Sequence, residues 1–140
     1  MVSKMGNRKH VCNYAVLHFQ PYPETGEFVC VGVVLLCQEN NYLNYKLETK
    51  KRDRITAFFP EMKSIIFTKG RTAFEEYLRA TIHFANEQLP FQEKKQSLLF
   101  RELTRDRESL FRFSSIGTVL TEDPAQELER LYKSVLKKHL

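Results

Sequence analysis

Phe28-Val29-Cys30-Val31-Gly32-Val33-Val34-Leu35-Leu36-Cys37 is the stretch on which the fold turns. It lacks the in-out alternation of a half-exposed strand, so both rows of side chains need cover. It therefore reads as a strand buried on both faces and central in a sheet. It is shorter than the roughly 18 apolar residues that a membrane helix needs. Gly32 inside the run marks a bulge or a close approach by another segment. Upstream, Gln20-Pro21-Tyr22-Pro23-Glu24-Thr25-Gly26-Glu27 packs two prolines and a glycine into a turn or short loop. Before it, residues 12–19 form a strand with Tyr14 and Val16 on one face and Ala15, Leu17 and Phe19 on the other. Downstream, Gln38-Glu39-Asn40-Asn41 reads as a hairpin turn. Residues 42–48 then alternate, with Leu43, Tyr45 and Leu47 opposite Asn44 and Lys46. The first half is thus expected to be a three-stranded antiparallel meander.

The middle carries helical spacing. Asp53 can cap a helix bearing Ile55, Phe58 and Phe59; Pro60 interrupts it, and Met62, Ile65 and Ile66 continue an apolar stripe. Gly70 is read as a stop. Thr72 and Glu75 fit a capping box that opens a helix with Phe74, Leu78, Ile82, Ala85 and Leu89 on one face, ended by Pro90. Residues 91–108 carry no decisive period. Residues 110–120 look like strand material bent or broken at Ser114-Ser115-Ile116-Gly117. In the last helix Asp123 is the N-cap, Pro124 takes the first position, and Gln126 completes a D-x-x-Q box. Leu128, Leu131, Tyr132 and Val135 recur at helical spacing, with Lys133, Lys137 and Lys138 where the dipole favours positive charge. The expected fold is α+β. A small, mainly antiparallel sheet has strands near 12–19, 28–37, 42–48 and 110–120. Helices near 53–67, 72–89 and 124–138 cover one of its faces.

The 140 residues are 42% hydrophobic and 28% charged, ordinary for one globular domain. Residues 1–10 read as a flexible basic tail and 11–140 as a single domain. The tail is not followed by an apolar signal core, so secretion is not expected. Cys12, Cys30 and Cys37 are odd in number and form no CxxC pair, and two of them lie in apolar runs. They are read as three plain thiols in a reducing compartment, the cytoplasm. The net charge of +5 permits nucleic-acid contact without requiring it.

Two segments carry a resemblance. Asn13-Tyr14-Ala15-Val16-Leu17-His18-Phe19, then Pro21 and Pro23, then Gly26-Glu27-Phe28-Val29-Cys30-Val31-Gly32-Val33-Val34-Leu35 resemble the opening of a bacterial domain-of-unknown-function family, number 3037. Arg112-Phe113-Ser114, Val119-Leu120-Thr121-Glu122-Asp123-Pro124 and Leu128-Glu129-Arg130-Leu131 resemble that family's end. The motif positions are Tyr14, Gly26, Glu27, Phe28, Gly32, Asp123 and Pro124, and Cys30 stands where the family usually has Asn. The resemblance implies no activity. Genes of the family often lie beside one for a HipA-like kinase, so the resemblance implies an accessory protein whose partner is a HipA-like kinase or a toxin-antitoxin type of system.

Chemistry-bearing residues are scattered. His10, His18, His83 and His139 are far apart. Cys30 and Cys37, seven apart in one strand, are expected on opposite faces and more than about 20 Å apart at ~3.3 Å per residue. Only His10-x-Cys12 has same-face spacing. No metal site, cofactor or catalytic residue is assigned. No G-x-S-x-G, S-x-x-K or H-E-x-x-H pattern occurs, and pairing of Cys12 with His18 or His83 is a matter for geometry. Thr68-Lys69-Gly70-Arg71-Thr72 lacks the full phosphate-loop signature and is read as a helix end followed by an N-cap. Glu27, where a loop enters a buried strand, is read as pairing with a backbone donor or an Arg, with a cation or a partner as the alternative.

Lys46, Lys50, Lys51, Arg52 and Arg54, with Tyr42 and Tyr45 just upstream, combine charge with stacking groups suited to nucleic acid or a partner. Arg101, Arg105, Arg107 and Arg112, interleaved with Glu102, Asp106 and Glu108, read as a salt-bridged face. Phe19, Tyr22, Phe91 and Phe100 lie in or near expected loops, where aromatics cover core edges or anchor interfaces. The leading functional expectation is a non-enzymatic accessory or interaction protein that binds a protein partner through sheet-edge or loop aromatics, with no membrane involvement. The alternative is a nucleic-acid-binding domain using the basic cluster at 46–54. The third is an enzyme site assembled around Glu27, His18 and Asn13.

Overall fold

The Val-rich run forms a strand with all nine of its residues buried, because helices close over both faces of the sheet. A computed structural model describes residues 8–48, 53–87, 95–106 and 109–137. In chain order they contain β1 (His10–Phe19), β2 (Val29–Cys37), β3 (Tyr42–Leu47), α1 (Asp53–Phe58), α2 (Ser64–Asn86), α3 (Lys95–Thr104), β4 (Phe111–Phe113), β5 (Gly117–Thr121) and α4 (Pro124–Lys137). The sheet is antiparallel, ordered β3-β2-β1-β4, and β5 pairs with the first half of β1 in the lane that β4 occupies beside the second half. The fold is α+β, and its first three strands are the expected meander. The hairpin between β2 and β3 turns through a 3-10 segment, Gln38–Asn40, with Asn41 left-handed at φ 51°.

Gly32 does both things its position suggests. The β1–β2 register slips beside it, from Leu17↔Gly32 to His18↔Cys30. A Cβ there would lie 2.6 Å from both the Lys46 carbonyl oxygen and a Leu47 methyl. The bulge also resets the alternation, so Cys30, opposite His18, falls on the face that carries Cys37, not the opposite one.

The strand expected over 110–120, bent or broken at Ser114-Ser115-Ile116-Gly117, is broken there into two pieces. Ser114 interrupts the ladder and repairs it: its N–H bonds the Val16 carbonyl at 2.8 Å, and its hydroxyl accepts the Val16 N–H at 2.9 Å. Gly117 leaves room for the Tyr14 ring, which a Cβ would strike at 2.5 Å.

Three expectations for the helices are corrected. Gly70 does not end a helix; α2 runs through it, because the missing side chain lets the Phe111 ring approach to 3.0 Å from where a Cβ would sit. Packing there outweighs the roughly 1 kcal/mol that glycine costs a helix interior. Thr72 is therefore no N-cap, and its hydroxyl bonds the Thr68 carbonyl one turn back at 2.9 Å. The helices also do not share one face. α1, α2 and α3 cover the side bearing Ala15, Leu17, Phe19 and Leu43, whereas α4 covers the other side with Leu128 and Leu131 against Val33 and Leu35. Ile65 and Ile66, assigned to the apolar stripe, are exposed, while Met62 is buried. Asp123 caps α4 as expected, its Oδ1 accepting the Gln126 N–H at 3.2 Å. The other half of the box is taken by Thr121, whose hydroxyl accepts the Asp123 N–H at 3.0 Å.

The cysteines are not three plain thiols. Cys12 and Cys37 sit opposite each other at the β1–β2 junction with Cα atoms 4.4 Å apart and form a disulfide, both fully buried under α4. Cys30 lies outside it. Spacing along the chain could not show this pair, because strand register creates it. The thiol argument for a reducing compartment falls with it. None of the described helices is long and apolar enough to cross a membrane.

Candidate functional site

The loop from β1 to β2 is held in shape by local bonds. The N–H groups of Thr25 and Gly26 bond the carbonyls of Tyr22 and Pro23 at 3.1 and 3.2 Å, and Gly26 takes φ +72°. That conformation suits glycine and disfavours other residues. The Thr25 hydroxyl donates to the Tyr22 carbonyl at 3.0 Å and accepts the Glu27 N–H at 3.2 Å. The backbone donor or Arg expected for the Glu27 carboxylate is not found among the described residues: the bond here is from the Glu27 N–H to a side-chain hydroxyl, and the carboxylate is in no ion pair among them.

Across from this loop stands the end of α1. Phe59 anchors the junction, buried and edge-on to Phe19 and Tyr22, each with centroids 6.0 Å away. Phe58 packs on Phe59 but is 39% exposed. Between the two segments lies an open cleft of about 470 Å³ lined by Tyr22, Glu24, Thr25, Glu27, Phe58, Phe59, Pro60 and Glu61. Its walls are aromatic and its charges are three carboxylates, none ion-paired among the described residues, on a chain of net charge +5. No group of three or more His, Cys, Asp and Glu among the described residues is placed to hold a metal ion. The cleft suits a ligand with a positive head and an apolar stem. Of the residues singled out in the sequence, Tyr22 and Glu27 line it; Phe58 and Phe59 read there only as apolar helix residues, and Glu61 carries no signal.

The basic cluster is placed differently. Lys46 bonds both carboxylate oxygens of Glu129, at 2.6 and 2.9 Å, and lies over the Tyr132 ring. The bond holds Glu129 below the usual carboxylate range. Arg54 forms a bidentate pair with Glu48 and also donates to the Cys30 carbonyl, with side-chain exposures of 14% and 12% for the pair. Arg71, buried in α2, donates to the Glu48 carbonyl at 2.6 Å and to Glu75 at 2.9 Å, and the Tyr45 hydroxyl donates to Glu75 at 3.1 Å. Burial, then the charge of Glu75, raises the Tyr45 phenol. Tyr42 packs beside the disulfide, and burial raises its phenol too. Lys46, Arg54, Tyr42 and Tyr45 therefore all serve contacts within the chain. Lys50, Lys51 and Arg52 lie outside the described residues.

Other expected groupings separate. Asn13 bonds Thr118 at one end of β1, while His18 stacks on Phe28 with centroids 3.9 Å apart at the other, so Asn13, His18 and Glu27 do not meet. Cys12 is committed to its disulfide, and His83 is exposed on α2 near Glu87. Phe19 and Phe100 are core residues, and Phe91 lies outside the described residues. The salt-bridged face appears as Arg105–Glu102 and Arg112–Asp106, both at 2.8 Å.

Among known proteins, residues 14–136 match a family model described as "Protein of unknown function (DUF3037)". No curated protein and no solved structure matches.

Proposed function

Because the chain belongs to the DUF3037 family, whose description carries no activity, we infer its role from the cleft: a non-enzymatic interaction protein that receives a basic segment of a protein partner. The observation that carries this reading is the meeting of Glu24, Glu27 and Glu61 with the rings of Tyr22, Phe58 and Phe59 around one opening. A lysine or arginine side chain fits both features: its alkyl stem lies along the rings, and its head faces the carboxylates, with cation–π attraction adding to the ion pairs. A HipA-like kinase is the first partner to try, from the gene neighbourhood that the family resemblance implies.

The test is an amide-resolved NMR titration with a hexa-arginine peptide and a hexa-glutamate control. Shifts are expected at Tyr22, Glu24, Glu27, Phe58 and Glu61 with the basic peptide alone. Glu24→Gln with Glu61→Gln should weaken binding roughly 5- to 30-fold, since each exposed ion pair contributes about 0.5–1 kcal/mol. No shifts in the cleft would sink the proposal. Shifts confined to residues 46–54 on adding a single-stranded oligonucleotide at low salt would replace it with nucleic-acid binding.

A further inference from the structure

The two edges of the sheet are finished differently. Opposed antiparallel residues with Cα atoms about 4.5 Å apart are a non-hydrogen-bonded pair. At 4.4 Å, Cys12 and Cys37 are such a pair, so Cys12 turns its backbone groups toward β5, where Val119 faces it. Val16, of the same parity, likewise bonds Ser114 on that side. Counting outward from Cys37, Leu43, Tyr45 and Leu47 present their backbone groups to the outer edge of β3. Half of those groups are capped from within the chain. Asn86 donates to the Leu43 carbonyl at 3.1 Å, Tyr132 to the Leu47 carbonyl at 3.0 Å, and the Tyr45 N–H is taken by the Asn44 side chain at 2.9 Å. On β5 the outward residues are Thr118 and Leu120, and no described residue caps their N–H or C=O groups.

We propose that the β5 edge is a self-association surface, pairing antiparallel with β5 of a second copy about a two-fold axis at Val119. In that register Thr118 of each copy faces Leu120 of the other as a hydrogen-bonded pair, and all the outward N–H and C=O groups of both strands find partners with none left over. Val119 meets its own copy at the axis as a non-hydrogen-bonded pair, the closer of the two spacings. The segment Gly117-Thr118-Val119-Leu120-Thr121 carries no charge, unlike edges guarded by lysine. The same register sets Glu122 against Ile116 and Asp123 against Ser115, so no like charges are opposed. Leu120 and its cross-strand neighbour Val11 are 60% and 57% exposed, an apolar pair beside the open edge.

The occupant is a second copy: the uncharged edge does not repel its own kind, and in the two-fold register no like charges are opposed while every outward backbone group is matched. Pairing over five residues makes a small interface, so the dimer is reversible and forms at high protein concentration. It leaves the cleft open, since β5 pairs with the His10 end of β1 and the cleft lies beyond the Phe19 end.

Sedimentation equilibrium from about 10 µM to 1 mM should show the average mass rising from 16.6 kDa toward twice that value. Hydrogen exchange at the Thr118 and Leu120 amides should slow over the same range. Leu120→Lys should weaken association at least tenfold. Leu98→Lys, at an apolar residue 62% exposed on α3, should leave it unchanged. A monomer mass throughout overturns the proposal, as does association insensitive to Leu120→Lys or protection of the two amides that does not depend on concentration.

Discussion

Reducing the Cys12–Cys37 bond should cost the protein much of its stability while leaving its sequence unchanged. The bond closes a loop of sequence separation 25. Holding such a loop closed in the unfolded chain removes entropy worth about 3.5 kcal/mol at 25 °C, a sizeable part of the 5–15 kcal/mol that typically holds a domain together. Both sulfurs are fully buried, so reduction should be done in denaturant and the protein refolded in reductant. In urea unfolding followed by far-UV circular dichroism, a slope of about 2 kcal/mol/M predicts that the midpoint falls by roughly 1.7 M on reduction. Alkylating the unfolded protein before and after reduction should label one cysteine and then all three. Three labels before reduction, or equal midpoints in the two states, would refute the pairing or its energetic role.

Two further outcomes follow from the packing. Gly32→Ala should destabilise the domain by about 2 kcal/mol or more, because its Cβ would meet backbone at the Lys46 carbonyl, where no side chain can swing aside; the guanidinium unfolding midpoint reads this. At high pH, Tyr42, Tyr45 and Tyr132 should limit stability: burial leads the causes that raise each of their phenols. The folded state therefore holds these protons more tightly than the unfolded state. Stability is full below the ordinary phenol value of roughly 10 and is lost as the pH climbs through the raised values. Tyrosinate absorbance at 295 nm should rise together with loss of circular dichroism, and titration of every tyrosine near 10 in a still-folded protein would contradict this.

What can be read from the sequence here is local. Period and burial pattern place the meander, because a run such as residues 29–37 can satisfy its side chains only between two covered faces. Gly32 and the Asp123–Pro124 helix start are equally legible, since each acts on its immediate neighbours. Half of the cleft is legible too, in the Pro- and Gly-rich loop that presents Tyr22 and Glu27.

Tertiary structure alone decides the rest. Register makes Cys12 and Cys37 neighbours, and the bulge at Gly32 moves Cys30 onto their face; neither pairing has a local signature. Gly70 looks like a helix stop because its propensity penalty of about 1 kcal/mol is all the sequence displays, whereas the Phe111 ring that fills the space arrives from more than forty residues away. Lys46 and Arg54 look like a phosphate-binding cluster until Glu129 and Glu48 are brought against them. Charge and backbone freedom are properties of single residues, but their use is set by whichever groups the packed chain puts next to them.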